Sequence, residues 1–390
     1  MSEPSVRILF EAIRAVFKNE NISANMEQLT IDAHLDEALK LANKHDITHL
    51  LIQGLTKNTV NDSLINNTKH IPLLAVFRYE KSNYELRRIC EVFEKHKIEF
   101  LPLKGSVLRN YYPEPWMRTS CDIDILIKEH DLSRAVECLT DELEYEVHGK
   151  FTHDVSLFSK SNVHVELHFD LIESVVSENS AAILKNVWDT SYPKDNHCYS
   201  FEMSDEMLYF YHVAHMAKHF ENGGCGIRPF LDLWILDNID GVDHLKRNEM
   251  LSKGDLLQFA NAARKLSKAW FENAEMDPVS QQMEDYILRG GVYGNDENRI
   301  LVQQQKKGGR IRYALSKIFI PYDELKFHYP ILQKYRWLTP IMEVRRWCKL
   351  FFCGHLKRTA RELTYNSNVS DVAAANTRKL LYDIGLKNRK

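Results

Sequence analysis

Residues 98–127 read IEFLPLKGSVLRNYYPEPWMRTSCDIDILI, and the rest of the chain is organised around them. Phe100 to Leu103 are apolar and run into a turn, Lys104-Gly105-Ser106. A loop holding Pro113, Pro115 and Arg118 follows, and then Cys121-Asp122-Ile123-Asp124-Ile125-Leu126-Ile127. Alternation with a period of two marks a strand with one buried face, so Asp122 and Asp124 project to the same side. Two carboxylates side by side repel each other unless a cation lies between them. The pair is therefore a candidate for a hard divalent cation, Mg²⁺ or Mn²⁺, held by oxygen donors and shared with a substrate phosphate. A short helix predicted over 106–111 adds backbone N–H groups that suit an anion. The plainer reading is a solvated strand face at a sheet edge. Ile123, Ile125 and Ile127 on the opposite face, with a glycine turn upstream, favour the site.

Working downstream, Val163-His164-Val165-Glu166-Leu167-His168-Phe169 is a second strict alternation. It places His164, Glu166 and His168 on one face and the apolar residues on the other. The two histidines either flank the site or form a polar sheet face, the second being favoured, and Glu166 is read as a third carboxylate beside the first two. Residues 145–148 and 155–158 read as short strands, and Leu132, Ala135, Val136 and Leu139 as a helix. Upstream, residues 5–97 read as helical, with a polar connector over 61–69 and a long helix over 71–97. Strands in succession between helical regions imply an α+β fold whose mixed sheet, with helices packed on a face, forms an α/β-type module. The expected organisation is a helical region over 1–97, the sheet module over 98–200, a helical domain over 201–300 and a basic, aromatic region over 301–390.

Ser204 is a predicted N-cap, followed by Asp205 and Glu206 in the first turn. The helix it opens carries His212, His215 and His219. Histidines four residues apart on a helix invite a zinc reading, but no catalytic Glu or third ligand accompanies them there. Packing against the sheet is the favoured reading. Helices are also expected over 227–236, 243–275 and 279–291, with a loop-rich stretch around 289–310 where Gly290, Gly291, Gly294, Gly308 and Gly309 cluster.

The charge is unevenly distributed. Residues 304–390 hold 19 Lys and Arg against 6 Asp and Glu, leaving 32 basic and 48 acidic residues in the remainder. The basic segment either meets something anionic or packs on the acidic body of its own chain. Its Trp337 and Trp347 among arginines fit an anionic lipid or nucleic-acid surface, or an ordinary core with a solvated face. The 7 cysteines are scattered without a CxxC pair, as expected of reduced thiols in a cytoplasmic protein. The N-terminus lacks the pattern of a secretory signal, and no apolar run has the length of a membrane span.

A Gly-Ser turn after one strand, Asp-x-Asp on the next and an acidic residue on a later strand together resemble the polymerase-β-like nucleotidyltransferase superfamily. The wording is closest to its uncharacterised nucleotidyltransferase family. The matching positions are Leu103-Lys104-Gly105, Arg118, Asp122-Ile123-Asp124, Glu166-Leu167-His168, His215 with His219, and Arg228 with Asp232. The YYPEPWMRT segment makes the step from Gly105 to Asp122 longer than the compact superfamily spacing. The resemblance implies transfer of a nucleoside monophosphate from a nucleoside triphosphate, with pyrophosphate leaving. It implies that Asp122, Asp124 and Glu166 hold metal, or that Glu166 acts as a base. It also implies phosphate contacts from Lys104, Gly105, Ser106 and Arg118, with His168, His215, His219 and Asp232 as supporting hydrogen-bonding groups. The acceptor stays open among small molecule, peptide, protein and RNA. The competing readings are a nucleotide-binding module without turnover, docking an anionic partner, and a kinase-like phosphotransferase.

Overall fold

Apolar residues at three- and four-residue spacing fold the N-terminus into α1 (Glu3–Phe17), which buries Ile8, Leu9, Ile13 and Val16. α2 (Gln28–Lys44) and α3 (Thr48–Lys57) pack against it. The structure, a computed structural model, describes residues 2–18, 28–57, 68, 70–151, 153–171, 177–292, 294–322, 325–326, 329–352, 362, 364–366 and 371–386. The connector expected over 61–69 lies outside them except for Thr68. The long helix is α4 (His70–Lys95), and it delivers the chain to β1 (Phe100–Pro102).

The turn after β1 becomes α5 (Gly105–Leu108), shorter than expected because a 3₁₀ turn over Arg109–Tyr111 takes over. β2 (Asp122–Ile127), α6 (Leu132–Leu143), β3 (Glu146–Lys150), β4 (Asp154–Phe158) and β5 (His164–His168) complete the module. The sheet order is β1-β2-β5-β4-β3. β2 and β5 are parallel and the other pairs antiparallel, so the fold is α+β with a mixed sheet. Register puts Asp122 opposite His164 and Asp124 opposite Glu166. The apolar sheet face, with Ile123, Ile125, Ile127, Val165, Leu167 and Leu157, is covered by α4 and α6. Each such side chain contributes roughly 1.5–3 kcal/mol by leaving water, which fixes the register and so presents the carboxylates on the other face.

Next come α7 (Glu178–Lys185), the hairpin β6 (Ser191–Pro193) and β7 (Phe201–Met203), and α8 (Asp205–Glu221). Ser204 Oγ accepts the Met207 N–H and caps α8 as expected. α9 (Arg228–Asp237), α10 (His244–Lys253), α11 (Leu257–Glu272) and α12 (Pro278–Arg289) follow. Two expectations need correction. The stretch 243–275 is two helices, broken at Gly254-Asp255. A Cβ on Gly254 would stand 2.3 Å from the Phe210 ring, so glycine alone permits this approach to α8. The stretch 289–310 is mostly the helix α13 (Asp296–Lys307), with the glycines at its two ends and Ile300, Leu301 and Val302 buried.

The helices on either side of the sheet module share one core, in which Phe10 of α1 stacks on Trp270 of α11 at 4.7 Å. The C-terminal part holds α14 (Arg310–Ile318), α15 (Ile331–Lys334), α16 (Thr339–Phe352) and α17 (Asp371–Asp383). Arg299 and Lys317 both reach Glu362, at 2.7 and 3.1 Å, so part of the basic charge is met by the chain's own carboxylates. Among the described residues no helix is long and apolar enough to cross a membrane.

Candidate active site

The polar face of the sheet and the facing side of α8 enclose a cavity of about 610 Å³. β2 contributes Asp122 and Asp124, β5 contributes Glu166 and His168, and β4 adds Asp154. Asp124 is the buried member, with Lys104 Nζ and His168 Nε2 each donating to its Oδ1 at 2.8 Å. Burial raises a carboxyl's pKa, but Lys104 and His168 outweigh it and hold Asp124 well below the usual carboxylate range. Burial and the neighbouring Asp124 charge push Asp122 up. The hydrogen bond from His168 lowers Glu166, against the effect of burial. Burial favours neutral imidazole at His168, yet its bonds to Asp124 and Glu166 raise its pKa. His168 thus lines the cavity in contact with Asp124, the first of the two placements the sequence left open. His164, by contrast, shares its Nε2 with Ser156 Oγ at 2.7 Å.

The expected phosphate-binding residues divide. Lys104 lies at φ 45° and ψ −119°, a conformation that costs an L-residue about 1–3 kcal/mol and that aims its amine at Asp124. Gly105 lines the cavity, and a Cβ there would come within 2.9 Å of an Arg118 Nη. Ser106 instead lines a second cavity, on the far side of the turn, where its buried Oγ has no hydrogen-bond partner among the described residues. Arg118 forms the cavity wall with its guanidinium committed: Nε and Nη2 donate to Asp232 at 3.1 and 2.9 Å. Tyr112 donates its hydroxyl to the same carboxylate at 2.7 Å. Asp232 therefore anchors Arg118. Arg228 donates to Asp46 and to Thr119 Oγ1 at 3.1 and 3.0 Å and so ties α9 to the loop before β2.

On α8, His215 and His219 face each other, Nε2 to Nε2, at 3.1 Å. Burial keeps both neutral, His219 at about 4. Neither belongs to the groups that gather three metal-ligating side chains among the described residues. Those groups are Asp122, His164 and Glu166, and Asp124, Glu166 and His168, each with ligand atoms within 4.8 Å of one another. Sequence reasoning missed Tyr211 and Lys218, which line the cavity from the same helical face as His215. Their offsets of four and three residues from His215 were the available signal. It also missed Asp154, two residues before Ser156 on the polar face of β4 and opposite His168. Two overlapping groups that share Glu166, one through Asp122 and one through Asp124, partly neutralised by a lysine and an imidazole, make an oxygen-rich donor set that fits a hard divalent cation.

A family model described as uncharacterised nucleotidyltransferase matches residues 32–272, more than half of the chain, including the sheet carboxylates and the α8 residues that face them. No curated protein and no solved structure matches the chain.

Proposed function

Given that the chain belongs to the uncharacterised nucleotidyltransferase family, we propose that it moves a nucleoside monophosphate from a nucleoside triphosphate to an acceptor hydroxyl. The observation that carries this reading is the in-register set of Asp122, Asp124 and Glu166 on two parallel strands, facing a cavity. Mg²⁺ or Mn²⁺ held by these three carboxylates would neutralise the triphosphate and favour in-line displacement. Lys104 stands beside Asp124, where it offsets phosphate charge, and the Gly105 backbone closes the same wall. Arg118, fixed by Asp232, holds the wall against which the Gly105 turn packs. The acceptor oxygen attacks the α-phosphorus, the bond from that phosphorus to the bridging oxygen breaks, and pyrophosphate leaves with the electron pair. Glu166, less buried than Asp124, takes the hydroxyl proton. His215 and His219, neutral and opposite the carboxylates, are hydrogen-bonding groups toward the substrate.

The test is transfer of label from nucleoside triphosphates to components of a cell extract in the presence of Mg²⁺. Label from the α-phosphate is expected in the product, with pyrophosphate released, and Asp122→Ala combined with Asp124→Ala abolishes both. Label arriving from the γ-phosphate instead would identify a phosphotransferase. Unchanged transfer by the double variant would remove the carboxylates from the mechanism.

A further inference from the structure

A second cavity, of about 950 Å³, lies across the Lys104-Gly105-Ser106 turn from the carboxylates, between α4, the turn and the β6–β7 hairpin. Lys104, Leu208 and Tyr211 line both cavities, so the two adjoin at these residues. Both volumes fall in the range of about 300–1,000 Å³ typical of small-molecule sites.

The inner wall of the second cavity carries a buried guanidinium, that of Arg109. Arg109 is buried, only 4% exposed. Its Nε donates to the Gly105 carbonyl and its Nη2 to Ser120 Oγ, both at 2.7 Å, and its guanidinium lies 5.6 Å from the Tyr79 ring centroid. These are neutral partners, and among the described residues no carboxylate is in ion-pair contact with it. Burial and the nearby Arg118 charge pull its pKa down to about 10, against the opposing pull of Tyr79 and Asp122. Leaving a buried charge unpaired is strongly unfavourable. Ser106, buried and lining the same cavity, has a hydroxyl without a partner among the described residues. Arg87 of α4 adds a guanidinium with no ion-pair partner among those residues. Two of the carboxylates that line the cavity are already engaged. Glu94 accepts the backbone N–H groups of Cys198, Tyr199 and Ser200, and Glu202 pairs with Lys194 at 3.5 Å; Glu91 is the remaining acid. Tyr111 and Tyr192 give the outer part exposed aromatic surface.

We propose that this second cavity seats an oxyanion-bearing small molecule, its phosphate or carboxylate held by Arg109, Ser106 and Arg87 and its body against Tyr111 and Tyr192. Resting on the transfer reading above, that molecule is the acceptor, entering from the side of Lys104 opposite the carboxylates. A nucleotide and the anion then occupy different cavities and bind together.

Calorimetric titration of the full chain with phenyl phosphate, and separately with benzoate, tests this. Each titration is run with and without a saturating non-hydrolysable nucleoside triphosphate analogue and Mg²⁺. At least one of the two anions is expected to bind in both conditions, and which one does so distinguishes phosphate from carboxylate. Ser106→Ala and Arg87→Ala each weaken it about tenfold, as expected for a lost hydrogen bond to a charged group. Arg109→Gln weakens it further, with thermal unfolding run in parallel because Arg109 also holds the Gly105 carbonyl. Competition between the anion and the nucleotide analogue would overturn the proposal, as would wild-type affinity in Ser106→Ala and Arg87→Ala. If the analogue fails to bind while the anion still binds, the second cavity stands as an oxyanion site and the transfer reading falls.

Discussion

Lys104 brings two separable effects to one position. Its backbone sits at positive φ, where only glycine is at ease, and its amine bonds Asp124 at 2.8 Å. Lys104→Gly and Lys104→Ala both remove the amine, but only glycine relieves the backbone. The glycine variant is therefore expected to be more stable than the alanine variant by about 1 kcal/mol in urea unfolding, with transfer depressed in both. Equal stabilities would show that the turn is not strained. Asp232 makes a complementary case. Burial raises its pKa, but Arg118 and its own hydrogen bonds hold it below the ordinary value of 3.8. A carboxyl depressed in the folded state stabilises fully above its unfolded pKa and loses that contribution as pH falls through the folded value. The Arg118–Asp232 pair is thus intact at neutral pH and fails only in acid, below the ordinary carboxyl range. Asp232→Asn, which leaves Arg118 buried without its counter-charge, is expected to cost about 3–5 kcal/mol at neutral pH. A loss under about 1 kcal/mol in denaturant titration at neutral pH would contradict that account.

Strand periodicity was the most readable signal in the chain. The alternation over 121–127 and 163–169 marks both sheet faces by itself, because a period of two has no other physical origin than a strand with one buried side. Which strands would pair was not readable. The β2–β5 pairing that sets Asp124 beside Glu166 depends on long-range packing under α4 and α6, which local pattern does not encode. For the same reason Asp154 escaped notice: its strand is short, and only the register with β5 brings it opposite His168. The start of α8 was legible from Ser204, whose hydroxyl satisfies a backbone donor of the first turn. Ser204→Ala is expected to lower stability by about 1 kcal/mol. Because α8 carries Tyr211, His215 and Lys218 into the cavity, a weaker cap should also raise the KM for nucleotide. Wild-type melting and KM in this variant would show that the cap is dispensable. The break between α10 and α11 has a local signal, Gly254 at the helix end with Asp255 at positive φ, which the apolar periodicity on either side masked; the Phe210 ring against Gly254 is a constraint that only packing shows.

Among the described residues two large cores meet at the site, one under the apolar face of the sheet and the other uniting helices from both sides of the module, while a small third cluster around Ile300, Leu301 and Tyr313 serves the C-terminal helices. The first core supplies the carboxylates to the site and the second supplies α8. Neutralisation of Asp124 by Lys104 and His168 does not require a metal ion, so the fold should survive chelation. EDTA is expected to abolish transfer and leave the melting temperature within a few degrees; unfolding by EDTA would make the ion structural. The central claim is that Asp122, Asp124 and Glu166 hold a divalent cation against the nucleotide. The most direct measurement is a crystal grown with Mn²⁺ and a non-hydrolysable nucleoside triphosphate analogue, read by anomalous scattering. The account predicts manganese peaks among the three carboxylates with the α-phosphate in contact. A bound nucleotide with no manganese at these residues would contradict it.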